Sequence, residues 1–439
     1  MFLIEKGTTL TPTMISDYIN KFETREKYNL IKSYNYYSGR QDIMNKTVTD
    51  KSKPCNKIVT NYCYNIVQNY LGYITGKDIK YSSQVDIEDI QNVLNYNDVK
   101  TTDSELLRNA LIYGIAYELC YIDEDVKERF KVIDSRECFA IYDNTLNQEL
   151  VAVIRYYPVD CYDVTKGSIV EVYDSIETTV YKCNSSFSGL EMSDRFPNYF
   201  NQVPVSVFTL NPEVESIFSK IITLQDAYNN LLSSEVDDFQ AFCDAYLVLK
   251  GVTADVDDIA AMKENRVLLI GEDADAAYLN KSINDTQIEN LLKNINDTIH
   301  KIANSPDFND DKFMAQSGVA MRYKLVGFEN SSASIVANMT KALQKRIELL
   351  CSVFTLTNGE EMWRDIEITF TRNLPVDMNE TAIMVNSLRG LVSNKSLLSQ
   401  ISFITDVNQE MKYINEQNAA NMEMYNFATP AAAEVDNAE

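Results

Sequence analysis

Between Asn211 and Gly251 the chain reads NPEVESIFSKIITLQDAYNNLLSSEVDDFQAFCDAYLVLKG. Ile217, Phe218, Ile221, Leu224, Tyr228, Leu231, Leu232, Val236, Phe239, Phe242, Cys243, Tyr246 and Leu247 recur at spacings of three and four, the mark of one apolar stripe on an α-helix. Asn211 suits the N-cap, Pro212 the first turn, and Gly251 the stop. The pattern predicts a helix over 212–249, about 55 Å long if unbroken. A kink at Ser233-Ser234 would instead give two ordinary helices. Taken alone, the stretch also fits a core helix of a large α domain.

A second helix is predicted at 286–302, with Ile288, Leu291, Leu292, Ile295, Ile299 and Ile302 on one side. Between the two helices lies a small module, 250–283, with a strand-like RVLLI at 266–270 and an acidic turn GEDAD. This is a helical hairpin carrying a small domain at its tip. Before it, helical patterns at 13–37, 58–74, 87–96 and 102–114 give way to period-two segments from about 115 to 183, with one more strand at 205–210, an antiparallel meander. Residues 36–57 read as an exposed loop. After the hairpin, 305–332 has little regular pattern and is long for a connection. A helix at 334–354, a strand at 365–370, helices near 379–392, 395–403 and 406–418, and a disordered tail from 427 complete the chain. The fold class is therefore α+β.

Charge narrows the function. The 439 residues carry a formal net charge of −24, which opposes non-specific binding to nucleic acid or anionic membrane by the chain as a whole. One basic island stands out: Lys312, Arg322, Lys324, Lys341, Lys345 and Arg346 against the single acid Glu329. It fits either ion pairing with the acidic 213–283 segment or contact with phosphate. Lys341 and Lys345 are four apart and share a helix face.

Catalytic signatures are missing from the sequence. Its one histidine, His300, sits near a helix end, and the eight cysteines form no CxxC pair, against a zinc site. The cysteines read as reduced, buried small hydrophobes of a cytosolic protein. There is no G-x-S-x-G elbow, and Gly72, Gly76 and Lys77 miss the phosphate-loop spacing. The acid pairs Asp237-Asp238, Asp257-Asp258 and Asp310-Asp311 diverge on a helix. Trp363 reads as a packing residue. The N-terminus does not read as a signal peptide, and no apolar run reaches the roughly 18 residues of a membrane span.

The order of elements resembles the portal proteins of tailed bacteriophages, in particular the siphovirus-type portal family. The resemblance is carried by YYSGRQDI (36–43), CNKIVTNYCYNIVQNYLGYITGKDIKYSS (55–83), LLRNALIYGIAYELCYID (106–123), IITLQDAYNNLLSSEVDDFQAFCDAYLVLKG (221–251) and SGVAMRYKLVGFENSSASIVANMTKALQKRIELL (317–350). It implies a mainly helical portal fold: a β-rich wing (1–211), stem helices (212–249 and 284–304) around an α/β clip (250–283), and a tunnel loop (305–332). A helix and returning strand (333–375) and a short helical crown (376–426) follow.

It also implies a structural protein of the virion, assembled in the host cytoplasm into a homo-oligomeric ring of twelve copies at one capsid vertex. Double-stranded DNA would pass through the ring. Terminase, a head–tail connector, and a major capsid or scaffolding protein would be partners, with no membrane, cofactor or metal. The channel residues would be Asn309, Asp310, Asp311, Lys312, Gln316, Lys341 and Lys345. Asp255, Asp257, Asp258, Lys263, Arg266, Glu272 and Asp273 of the tip would face partners. The alternatives are a helical scaffold binding a protein partner without a DNA channel, and a carboxylate-dependent hydrolase.

Overall fold

The computed structural model describes residues 2–50, 53–243, 247–250, 275–278, 285–308, 318–353, 362–373, 378–401, 404 and 407–427. It divides into two units, Met1–Asn373 and Leu374–Glu439. Helices and antiparallel sheets are both present, in keeping with the α+β class.

The first unit opens with strand β1 (Phe2–Ile4) and helices α1 (Pro12–Arg25) and α2 (Lys27–Tyr37). Thr11 caps α1 by accepting the Met14 N–H at 3.4 Å, one of the donors that a helix start leaves unpaired. The predicted helix from Ile58 begins later, as α3 (Tyr62–Thr75), with Asn61 as its cap. Strand β2 (Lys80–Ser82) and helices α4 (Glu88–Tyr96) and α5 (Val99–Tyr113) follow. Gly114 ends α5 at φ +81°, where an added Cβ would come within 2.5 Å of the Val214 carbonyl carbon. A side chain is excluded there by both conformation and space.

The predicted meander is real but divided. Strands β3 (Ile115–Ile122) and β4 (Glu128–Ile133) join β10 (Val205–Thr209) in a three-stranded sheet ordered β10-β3-β4. Strands β5 (Cys138–Asp143), β6 (Leu150–Pro158), β7 (Ser168–Tyr173), β8 (Glu177–Cys183) and β9 (Glu191–Pro197) form a six-stranded sheet with β1 at one edge and β9 at the other. The corner is Asp134-Ser135-Arg136: buried Ser135 donates to the Ile115 carbonyl at 2.8 Å, and Arg136 Nε lies 3.0 Å from Asp134 Oδ1. Tyr117, Ile133, Cys138, Val153, Tyr173 and Val205, drawn from both sheets, form one core cluster. Phe22 of α1 stacks on Phe139 at 5.0 Å over the other face of β5. Burial on two faces explains why β5 reads as a continuous apolar run rather than an alternation.

Three helix boundaries differ from expectation. The helix predicted over 212–249 is α6, Ile222–Cys243, and Leu247–Lys250 is a strand, β11, paired antiparallel with β12 (Asp275–Tyr278). Residues 211–218 do not start the helix because tertiary partners hold them: Asn211 Oδ1 accepts the Glu215 N–H at 2.9 Å, and the Ile217 N–H reaches the Leu111 carbonyl of α5 at 3.0 Å. The second hairpin helix, α7, spans Asp285–Ile302. The third difference is larger. Helix α8 runs from Gly318 to Val353, so much of 305–332 is helical and not loop. Its core positions Leu325, Phe328, Ser332, Ile335 and Met339 are buried at helical spacing, a pattern obscured in the sequence by Gly327 and a run of serines, which lower helix propensity. Strand β13 (Glu367–Thr369) pairs with β2. Nor is 36–57 simply exposed, because Gln41 and Ile43 are buried.

The second unit contains helices α9 (Met378–Leu388), α10 (Asn394–Leu398) and α11 (Val407–Phe427). Ser393 caps α10 by accepting the Ser396 N–H at 3.2 Å. Of the tail expected to be disordered from 427, Phe427 closes α11 and the rest lies outside the described residues, as does the strand expected at 266–270.

Candidate functional site

Helix α6 is held by its polar face. Gln225, Asn229, Ser233 and Asp237 recur every fourth residue and so share one side. Against them lies segment 56–62, which leads into α3 and runs antiparallel to the helix. The N–H of Tyr62 donates to Gln225 Oε1 (3.0 Å), that of Thr60 to Asn229 Oδ1 (3.0 Å), that of Ile58 to Ser233 Oγ (3.0 Å) and that of Asn56 to Asp237 Oδ1 (2.7 Å). The two segments keep step: each rung advances four residues on the helix, a rise of about 6.0 Å, and two residues on the facing segment.

Gln225, Asn229 and Ser233 are fully buried, and Asn229 Nδ2 also donates to Gln41 Oε1 at 2.5 Å. Asp237 closes the ladder with Lys46 at 2.8 Å. Burial opposes its charge, yet Lys46 and the Asn56 donors outweigh that and hold its pKa below the usual carboxylate value.

With the polar side turned inward, the apolar stripe is only partly covered. Leu224, Tyr228, Leu231, Leu232 and Val236 are half-buried, and Phe239 is 63% exposed. On α7, Ile299 is buried, but Leu291 is 46% exposed. The two helices pack on each other, yet one chain leaves part of both stripes open. His300 at the end of α7 fixes the turn that follows, its Nδ1 2.9 Å from the Ser305 carbonyl oxygen.

A buried arginine helps to pin helix α8. Arg346 is fully buried; Nη1 lies 2.6 Å from Asp103 Oδ1 on α5, and Nε and Nη2 each lie 2.7 Å from the Glu118 carboxylate on β3. Tyr81 on β2 donates to Asp103 at 3.1 Å. Burial pushes both carboxyls above their usual range, and Arg346 pulls against it. Burial likewise opposes the guanidinium charge, but the two carboxylates more than restore it. Arg346 thus ties α8 to α5, to the three-stranded sheet and, through a 3.2 Å bond to the Tyr81 hydroxyl, to strand β2.

This corrects the basic island, from which Arg346 is removed. Lys341 is exposed on α8; Lys345, half-buried one turn on, donates to Gln202 Oε1 and meets Glu348 at 3.0 Å. Asn309, Asp310, Asp311, Lys312 and Gln316 lie outside the described residues, as do Asp255, Asp257, Asp258, Lys263, Arg266, Glu272 and Asp273. Sequence reasoning missed the polar ladder, although its four-residue repeat was visible. It also missed the Asp103–Arg346–Glu118 cluster, whose partners are more than 200 positions apart. Among the described residues no group of acids, cysteines and histidine is arranged to hold a metal ion, and no helix is long and apolar enough to cross a membrane.

Comparison with known proteins adds a family. The family model described as "Phage portal protein, SPP1 Gp6-like" matches residues 16–424. A portal protein of Clostridium phage phiCD119 is 24% identical over 442 aligned positions, covering 90% of this chain and 94% of that protein. A portal protein of Bacillus phage SPP1 is 20% identical over 423 positions, covering 88% and 83%. The family match runs through nearly the whole chain, and this chain belongs to the SPP1 Gp6-like phage portal protein family.

Proposed function

We propose that the protein forms a ring-shaped channel at one vertex of the phage capsid, through which double-stranded DNA is packaged and later leaves, and on which head and tail are joined. The observation that carries this, beyond family membership, is the apolar stripe of α6 and α7, which the described residues cover only in part. A stripe held open by a buried polar ladder on the opposite face needs a neighbour, and a head-to-tail contact that repeats around an axis closes into a ring. The strongly acidic chain suits a conduit, since duplex DNA carries one charge per about 1.7 Å, and a wall that repels it does not hold it. Lys341, with Lys312 and Gln316, would supply the few attractive contacts. The tip residues Asp255, Asp257, Asp258, Lys263, Arg266, Glu272 and Asp273 would meet terminase and then the connector. The role is structural, and the packaging ATPase would be a separate protein.

Negative-stain imaging of the purified full chain tests this. Closed rings with a central opening wide enough for a duplex are expected. Monomers or dimers alone at high concentration, with none of the protein in capsids, would overturn it and favour a scaffold without a channel.

A further inference from the structure

Two helical stripes on the surface of the first unit carry opposite charge, and neither forms an ion pair among the described residues. The first runs along α1 and α2. Lys21, Arg25, Tyr28 and Ile31 follow one another at helical spacing, and the joint between the helices, Glu26, keeps right-handed helical angles. Both cations are exposed, and Tyr28 and Ile31 are 69% and 40% exposed. Arg25 makes no ion pair, and Lys21 lies only over the Tyr18 ring, at 5.5 Å. An acid, Asp17, stands one turn before Lys21.

The second stripe opens α4. From Ser83 to Val99 the sequence holds Asp86, Glu88, Asp89 and Asp98 but no lysine or arginine. Asp86, Glu88 and Asp89 are exposed beside Val85, which is itself 47% exposed, and none of these acids makes an ion pair with the described residues. Asp86 accepts the Glu88 N–H at 3.0 Å. The neighbouring cations are engaged: Lys100 pairs with Asp78 at 2.8 Å, and Lys127 and Arg129 lie over the Tyr96 ring at 4.6 and 4.1 Å, at the far end of α4. The fold keeps the two stripes apart. Tyr34 of α2 stacks on Tyr113 at the C-terminal end of α5, at 6.4 Å, whereas α4 leads into the N-terminal end of α5 through Asn97 and Asp98. Helix α5 is about 22 Å long.

We infer that the stripe of α1 and α2 on one copy docks on the start of α4 of the next copy, with Lys21 and Arg25 facing Glu88 and Asp89 and with Tyr28, Ile31 and Val85 covered in the contact. This contact is one of those that build the ring proposed above, and it rests on that reading. A ring closes through a head-to-tail contact, which joins two different patches of the same chain. Opposite charge on those patches selects that arrangement. A basic stripe repels a second basic stripe, an acidic stripe repels a second acidic one, and only head-to-tail neighbours attract. A DNA duplex would match the first stripe but be repelled by the second.

The test is charge reversal in the full chain, with rings counted by negative-stain imaging and sedimentation velocity. Lys21→Glu with Arg25→Glu should lower the yield of rings at least about tenfold, and Glu88→Lys with Asp89→Lys should do the same, because like charges then face each other across every contact. The chain that carries both pairs of substitutions should return to within about threefold of the parent. An equimolar mixture of the two proteins reversed on one side should also form rings, with the copies alternating, although neither protein forms them alone. The far-ultraviolet spectrum should stay unchanged throughout, because Lys21, Arg25, Glu88 and Asp89 are all exposed. Rings formed by either one-sided variant as readily as by the parent would overturn the inference and leave the ring standing. A loss of duplex binding by Lys21→Glu with Arg25→Glu, with rings kept, would assign the basic stripe to nucleic acid instead. Rings lost in the one-sided variants and restored neither by the combined chain nor by the mixture would also overturn it, since the charges would then act through folding. A parent chain that forms no rings would remove the ring reading first, and this contact with it.

Discussion

Nη2 of Arg346 lies 2.7 Å from Oε1 of Glu118, with both side chains completely removed from solvent. The two residues are 228 positions apart. The pair fixes the middle of α8 to the three-stranded sheet, and Asp103 on α5 makes it a triad.

Removing that guanidinium should be severe. Arg346→Met leaves two carboxylates buried without a counter-charge and should destabilise the first unit by about 3–5 kcal/mol. Adding Asp103→Asn and Glu118→Gln to the same protein should recover most of the loss, because a neutral cluster has no stranded charge. Urea unfolding of the single and triple variants checks this. Equal stability of Arg346→Met and the parent chain would show that the triad does not anchor α8.

Asn229 sits at the centre of the polar ladder, bonded to Thr60 and Gln41. Asn229→Leu should cost about 1–3 kcal/mol through the unsatisfied groups it leaves. Amide exchange at Ile58, Thr60 and Tyr62 should quicken more than exchange in β5 and β6. Uniform quickening across the unit would mean that the ladder has no local role.

The Asp237 rung should respond to acid. Its folded pKa lies below the unfolded value of about 3.9. The unfolded chain therefore binds the proton more readily, so this contribution is present above about pH 4 and is lost as pH falls through the folded value. Asp237→Asn should flatten that part of the pH–stability curve and speed exchange at Asn56 even at neutral pH. A curve unchanged by the substitution would remove Asp237 as a rung.

Charge placed on the open stripe should separate assembly from folding. Leu231→Asp together with Leu291→Asp alters side chains that are half-buried and exposed in the single chain. The double variant should keep its far-ultraviolet spectrum while light scattering reports a loss of ring-sized particles. Rings formed as readily as by the parent would place the subunit contact elsewhere.

Gly114→Ala should destabilise by more than about 1 kcal/mol, since φ is positive and the new methyl would meet the Val214 backbone. Thermal melting provides the measurement. The same substitution at Gly72, where the added methyl meets nothing within 4 Å and the backbone is helical, should be neutral or stabilising.

Most of the secondary structure was legible because its causes are local. Hydrophobic periods of three to four marked α3, α5, α6 and α7, and short Val-, Ile-, Tyr- and Phe-rich runs bounded by turn residues marked β3 to β8. The failures have one cause. Residues 212–221 and 58–61 carry helical patterns but are not α-helical, because Leu111, Asn229 and Ser233, distant in sequence, hold their backbone donors. Gly318–Asn330 was read as loop on composition, yet packing of Leu325 and Phe328 makes it helix. Strand β9, wholly exposed, carries no apolar signal to detect. Of the candidate channel residues, Lys341 is exposed on its helix, whereas the partners of Lys345 could not be foreseen.

By itself, then, the sequence determined the class of fold, the helical hairpin with its tip, the acidic character and the likeness to portal proteins, all of which follow from local pattern and order along the chain. Only the tertiary structure decided which face of α6 turns inward, and that the basic Arg346 is a core residue and not a ligand for phosphate. Periodicity says that a helix has two faces; which one is buried depends on whether a distant segment offers it complementary hydrogen bonds at matching spacing.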